Sequence, residues 1–363
     1  MRGEAHPQSA LFSYVSLEAR VPREHPLRKM RILVDAVLGS LDERLASVYA
    51  TRGRPSIPPE FLLRASLVQI LYTVRSERQL VEQIEFNLLF RWFVGLGMDD
   101  RVWDHSTFSH NRERLFDAGM ARAFFERVRA LAEWQELISD EHFSVDGTLI
   151  EAWASHKSFQ LRDPEQCQPP NGGGRNAEAD FRGQRRSNAT HASLTDPDAR
   201  LYRKCENTAA VLCHMGHVLM DNRHGLIVDL ETTQATGTAE RAAARRMLKR
   251  SAPRAKTVGA DKGYDTADFI AACRTLGVTP HVAAKRSGSA LDGRTTRHAT
   301  YAVSLRIRKR IESIFGWLKT VADWRKTKLI GTAKVAGHNL LAGAAYNLVR
   351  MASLNGWWDA RHT

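Results

Sequence analysis

Leu305-Arg-Ile-Arg-Lys-Arg-Ile-Glu-Ser-Ile-Phe-Gly-Trp-Leu-Lys319 is the stretch from which the rest of the chain is best read. Its apolar residues Ile307, Ile311, Ile314, Phe315 and Leu318 recur at steps of three and four, which predicts one helix with a buried seam. Arg308, Glu312 and Lys319 then fall on a neighbouring stripe, because side chains three, four or seven apart share a helix face. A single carboxylate between cations, on a helix anchored by an apolar seam, suits a polyanion and a metal together. The same spacing also describes a solvated amphipathic helix with i,i+4 ion pairs, so the segments upstream must decide.

Two of those segments end in aspartate. His142-Phe-Ser-Val-Asp146 alternates as a strand does and is expected to stop at Asp146-Gly147. Lys256-Thr-Val-Gly-Ala-Asp261 reads as a short buried strand, followed by the turn Asp261-Lys-Gly-Tyr-Asp265. Carboxyl ends of strands are where ligand sites gather in open α/β sheets. Asp146, Asp261 and Glu312 together would form an all-oxygen site, which suits Mg²⁺ or Mn²⁺ rather than zinc. Two such ions about 4 Å apart can activate an attacking oxygen and stabilise a leaving one in phosphodiester chemistry. Cys205, Cys213, His214 and His217 do not have the spacing of a zinc site. Asp221 and Asp265 read as turn residues, and Trp153 and Trp317 as core aromatics able in principle to stack on bases.

Working outward, residues 1–137 read as a helical domain. A helix is expected near Leu27–Leu41, and another to about Val74, opened by Ser56-Ile-Pro-Pro-Glu60 with Ser56 as cap. Arg78–Val94 follows, stopped by Gly95 and Gly97; a helix capped by Ser106 carries Asn111, Arg112 and Arg114; Gly119–Leu137 is the last. Arg112 is placed to contact a DNA phosphate if this is a helix-turn-helix-like unit, whereas in a plain bundle its charge is only solvated. From 138 to 351 the periodicity alternates between strand and helix. It includes a hairpin around Asp221–Gly225, helices Ala239–Lys249 and Thr266–Leu276, a strand Val278–Ala284, and a final helix Lys334–Met351. A Gly- and Arg-rich passage at about 156–206 is expected to be a long flexible loop, and 352–363 a C-terminal tail.

Composition agrees with a nucleic-acid partner. Among 363 residues, 53 Lys+Arg outweigh 40 Asp+Glu, giving +13, a charge that attracts polyanions. Four cysteines in so long a chain are no disulfide framework, and the first twenty residues lack a signal-peptide core. No apolar run is long enough to span a bilayer, so a cytoplasmic protein without a membrane partner is expected.

These segments resemble the DDE transposases of bacterial insertion sequences. Phe143-Ser-Val-Asp-Gly-Thr148 and Gly259-Ala-Asp-Lys-Gly-Tyr-Asp265 look like the family's first and second acidic motifs. Arg308, Glu312 and Lys319 fit the last three positions of its Y-x₂-R-x₃-E-x₆-K signature, while Leu305 stands where the tyrosine would be. Arg54-Pro-Ser-Ile-Pro-Pro-Glu60 is similar to the branch's helical domain. The resemblance implies a ribonuclease-H-like α/β fold, a mixed sheet flanked by helices, behind an all-helical N-terminal domain. It implies Asp146, Asp261 and Glu312 as catalytic metal ligands for two Mg²⁺ ions, with Mn²⁺ as a substitute. Arg308 and Lys319 would contact DNA phosphates, joined by Arg310, Lys262 and Arg112. Tyr301, one helical turn before Leu305, would reach the face that the missing tyrosine serves. The implied partners are double-stranded DNA, as terminal inverted repeats and as target, and a second copy of the chain; the implied place is the bacterial cytoplasm at the nucleoid. An end-binding derivative without chemistry, or a nuclease that cuts without joining, is the competing reading.

Overall fold

The computed structural model describes residues 16–49, 52, 56–112, 119–162, 186–204 and 208–356. Eight helices come first: α1 (Leu17–Arg20), α2 (Pro26–Gly39), α3 (Asp42–Ser47), α4 (Pro59–Leu71), α5 (Glu77–Phe86), α6 (Leu88–Val94), α7 (Ser106–Arg112) and α8 (Met120–Trp134). Three departures from the expected helices have local causes. The helix expected over Arg78–Val94 breaks at Asn87, whose side chain accepts hydrogen bonds from the N–H groups of Leu89 and Phe90 and so starts α6 afresh. Ser56 does not cap α4; Pro58 occupies the cap position with Pro59 first in the helix, where a missing N–H costs nothing. At α7 it is Asp104, not Ser106, that accepts a backbone N–H, that of Ser106, at 2.8 Å.

The sheet follows, formed from β1 (His142–Glu151), β4 (Arg200–Tyr202), β5 (Val211–Asp221), β6 (Ile227–Gln234), β7 (Thr257–Ala260) and β8 (Thr279–Val282), with β2 (Phe159–Leu161) and β3 (His191–Ser193) paired separately. Helices α9 (Ala239–Ser251), α10 (Ala267–Thr275), α11 (Gly293–Thr296), α12 (Ala299–Ile307), α13 (Ile311–Val321) and α14 (Thr332–Leu354) complete the chain. β1, β5 and β6 form an antiparallel meander, and β7 and β8 add in parallel beyond β1. The resulting order, β6 beside β5, β1, β7, β8, is the ribonuclease-H-like arrangement. Within the passage expected as one flexible loop, residues 186–204 contribute β3 and β4, and β4 joins the main sheet on β5. Its Gly- and Arg-rich centre at 163–185 and Cys205 lie outside the described residues.

The two largest cores among the described residues lie on the sheet. On one face Phe143, Val145, Leu219 and Val258 pack under α9 and α10 through Ala243, Met247, Phe269 and Ile270. On the other, Ile150, Val218, Ile227 and Leu230 meet Ile311, Ile314 and Leu318 of α13 and Leu341, Ala344 and Leu348 of α14. That second core continues without interruption into the N-terminal helices through Phe124, Phe125, Leu62 and Phe93. Arg122 of α8 also forms an ion pair with the wholly buried Asp229 of β6 at 2.7 Å. The change of architecture near residue 138 is therefore bridged by a common interior.

Candidate active site

Strand register builds the centre of the site. β1 pairs with β7 from His142 to Ser144, Ser144 lying opposite Gly259. Carrying that register two residues further sets Asp146 opposite Asp261, the first residue beyond β7. Asp146 is not at the end of its strand as expected: β1 runs on to Glu151, and it is β7 that stops. The edge of β1 beyond Ser144 is thereby left unpaired by β7, which opens a cleft at Asp146. Asp146 Oδ1 accepts its neighbour Gly147 N–H at 2.8 Å, and Asp261 Oδ1 accepts Gly263 N–H at 2.8 Å, starting the 3-10 turn Lys262–Tyr264. Burial pushes the Asp146 carboxyl up to about 6; the Gly147 N–H, then Lys204 and Arg308, oppose this, and the Asp261 charge adds to it.

The Leu305–Lys319 stretch is not one helix. α12 ends at Ile307, Arg308–Arg310 forms a 3-10 turn, and α13 begins at Ile311. Arg310 is drawn toward the turn between β5 and β6, its guanidinium 3.5 Å from the Asn222 carbonyl and 3.4 Å from that of Arg223. Arg308 sits directly on β7: a Cβ at Gly259 would lie 3.3 Å from Arg308 Cβ and 2.9 Å from Ser144 Oγ, so glycine is required for this approach. Its Nε is buried and has no hydrogen-bond partner among the described residues, although its charge reaches Asp146. Glu312, in the first turn of α13, is exposed. Lys319 is half-buried, and burial, with Lys204 and Arg325 nearby, lowers its ammonium below the usual range.

The remaining expected contacts are dispersed. Lys262 is exposed beside Asp261. The Tyr301 hydroxyl donates to the Val282 carbonyl at 2.8 Å, and its ring stands edge-on to His281, so it serves β8. Arg112 forms an ion pair with Glu77 and lines a cavity of about 420 Å³ between α4, α5 and the α13–α14 connection. Cys213, His214 and His217 are buried along β5, with His214 hydrogen-bonded to Asp196 at 2.9 Å and His217 to Thr233 at 2.8 Å.

Three residues at the cleft escaped the sequence reading. Glu240, in the first turn of α9, lies over Gly147: a Cβ there would be 2.8 Å from its Oε1. Burial, then the charges of Asp146 and Asp261, push its carboxyl up to about 7, with Lys204 opposing. Lys204 is the cation common to Asp146, Glu240 and Lys319. Tyr264 is fully buried, and its hydroxyl has no hydrogen-bond partner among the described residues.

A Transposase DDE domain model matches residues 139–348, more than half of the chain. The chain belongs to the DDE transposase family. A second model, Transposase domain (DUF772), matches residues 15–114. As a DDE transposase the chain cleaves DNA and transfers strands, and enzymes of this family use divalent metal ions. No curated protein matches the sequence significantly. Among solved structures, a piggyBac transposase synaptic complex with hairpin DNA aligns at TM-score 0.42 and 10% identity, over 93% of this chain and 76% of that one. A Mos1 mariner paired-end complex with Mn aligns at TM-score 0.20 and 12% identity, over 94% and 99%.

In chemistry, the transposase's carboxylates fit a hard divalent cation, since every donor is oxygen. In position they are apart: among the described residues no three His, Cys, Asp or Glu side chains stand close enough to hold an ion. No helix among the described residues is long and apolar enough to cross a membrane.

Proposed function

We propose that this transposase acts on the terminal inverted repeats of an insertion sequence, with Asp146, Asp261 and Glu312 as the ligands of two Mg²⁺ ions. The observation that carries this reading is the register that sets Asp146 beside Asp261 under Arg308. Bound divalent cations would polarise the scissile phosphate and ready the attacking oxygen. The chain's own contribution is geometric. Asp146 lies within β1 and Asp261 directly follows β7, so the strand register brings their backbone positions opposite one another. Glu312 lies one helical turn beyond Arg308 on a helix packed against β1, and would be the third ligand from that side.

Arg308 supplies a guanidinium with an unused donor, suited to a phosphate oxygen beside the cut. Lys319, and Lys204 across the cleft, add positive charge along the path of the backbone. Cleavage that frees a 3′-OH, followed by attack of that hydroxyl on target DNA, needs two ends held together, so the working unit is a homodimer on DNA. Leu305 provides no hydrogen bond, and handling of the transposon end falls to Arg308 and its neighbours.

The test is cleavage and joining of terminal-repeat DNA in Mg²⁺, with Asp146→Asn, Asp261→Asn and Glu312→Gln as comparisons. Each substitution is expected to abolish both steps while leaving DNA binding intact. End binding without cutting by the unmodified protein would identify an inactive derivative, and cutting without joining a nuclease. Retention of cutting by all three variants would overturn the assignment of the site.

A further inference from the structure

We propose that Glu240 is a fourth carboxylate of the site, a divalent-cation ligand alongside Asp146 and Asp261, and that the Tyr264 hydroxyl positions it. This rests on the reading of Asp146 and Asp261 as cation ligands. It begins with the space over Gly147. A side chain there would occupy the position of the Glu240 carboxylate, 2.8 Å from Oε1 and 3.2 Å from Cδ, so the absent side chain is what admits Glu240 to β1. Gly147 directly follows Asp146, and the strand edge beside both is the one that β7 leaves open. The edge is therefore bordered by Glu240 on the α9 side and by Asp146 in β1 itself.

The usual role of a glutamate in the first turn of a helix does not account for this placement. Such a residue complements the helix dipole, and it does so from a solvated position. Glu240 is instead folded inward against a strand, its carboxylate filling the space over Gly147 beside Asp146. Tyr264 supplies an independent observation. It closes the 3-10 turn after Asp261, is fully buried, and has a hydroxyl without a hydrogen-bond partner. After burial itself, the charges of Glu240, Asp146 and Asp261 act on that hydroxyl, with Arg241 opposing. A buried donor left unused is unfavourable, and the use proposed for it is to hold Glu240 toward the ion.

Mn²⁺ titration of the full-length protein, after chelation and without DNA, reads cation binding directly by calorimetry or by loss of the free-Mn²⁺ resonance. Glu240→Gln is expected to weaken binding by about tenfold or more, and Tyr264→Phe by about threefold. The double variant should be no weaker than Glu240→Gln alone, because the hydroxyl acts through the carboxylate. Glu240→Asp should recover part of the loss, and raised Mn²⁺ should recover part of the cleavage activity of Glu240→Gln. Wild-type Mn²⁺ affinity in Glu240→Gln, with affinity lost in Asp146→Asn, would overturn this proposal and leave the proposed site standing. Undiminished affinity in Asp146→Asn would overturn both. If Glu240→Gln fails to fold, Glu240→Asp and Tyr264→Phe decide: unchanged affinity in both overturns the proposal.

Discussion

Arg91 and Arg308 are both drawn into the protein, and their hydrogen bonds differ in kind. Arg91, in α6, is 2% exposed and spends its guanidinium on backbone carbonyls: Gly97 at 2.6 Å, Asp100 at 2.5 Å and Met98 at 3.2 Å, with Ile84 and Glu85 farther off. Arg308 stands over Gly259 at the cleft with a buried Nε that nothing in the described protein accepts. A buried polar group with every partner supplied internally holds the fold together. One with a partner missing is waiting for something from outside. Arg91 follows the first plan and Arg308 the second.

The largest effect that could break this contrast is at Asp146. Asp146→Asn should lower cleavage by about a thousandfold or more while leaving the protein folded, checked by single-turnover cutting and circular dichroism. The same substitution should raise stability, which sharpens the contrast further. The folded Asp146 carboxyl titrates near 6 and an unfolded one near 3.8, so the folded state holds this proton more tightly. Stability owed to Asp146 is thus present below about pH 4, declines as pH rises through 6, and is lost by pH 7, a change of about 3 kcal/mol. Melting in EDTA should therefore show Asp146→Asn gaining on the unmodified protein between pH 4 and pH 7. A gap that stays constant with pH would contradict a buried, uncompensated carboxylate.

Arg91→Ala should do the reverse. Stranding several carbonyls is expected to cost about 3 kcal/mol, seen as a lower urea midpoint, with the remaining folded fraction cutting DNA normally. Arg308→Ala is expected to lower strand transfer by about a hundredfold with the urea midpoint almost unmoved; a large loss of stability would show its guanidinium to be structural after all. The smallest effect belongs to Tyr301→Phe. Its hydroxyl is committed to Val282, so a loss of about 1 kcal/mol of stability and little change in joining are expected.

Much of the site could be read in the sequence because strands expose their ends through composition. The small, apolar Thr257–Ala260 stops at Asp261, and the helix seam of Ile311, Ile314 and Leu318 is buried as its spacing requires. The interruption at Arg308–Arg310 could not be read: three basic residues are good helix formers, and the Arg308–Gly259 and Arg310–Asn222 contacts beside the turn join residues far apart in sequence. Nor could the true end of the β1–β7 pairing, since Asp-Gly reads as a turn wherever it occurs and here lies within a strand. Glu240 gave no warning because a glutamate opening a helix is ordinary. Only the bare Gly147 opposite it betrays the contact, and that pairing across the fold has no sequence spacing to announce it.

The continuous interior from α4 and α8 through α14 into β6 has a mechanical consequence. With no seam at which to hinge, the helical region and the sheet form one lever. A load applied at one end of it is delivered to the other as torque.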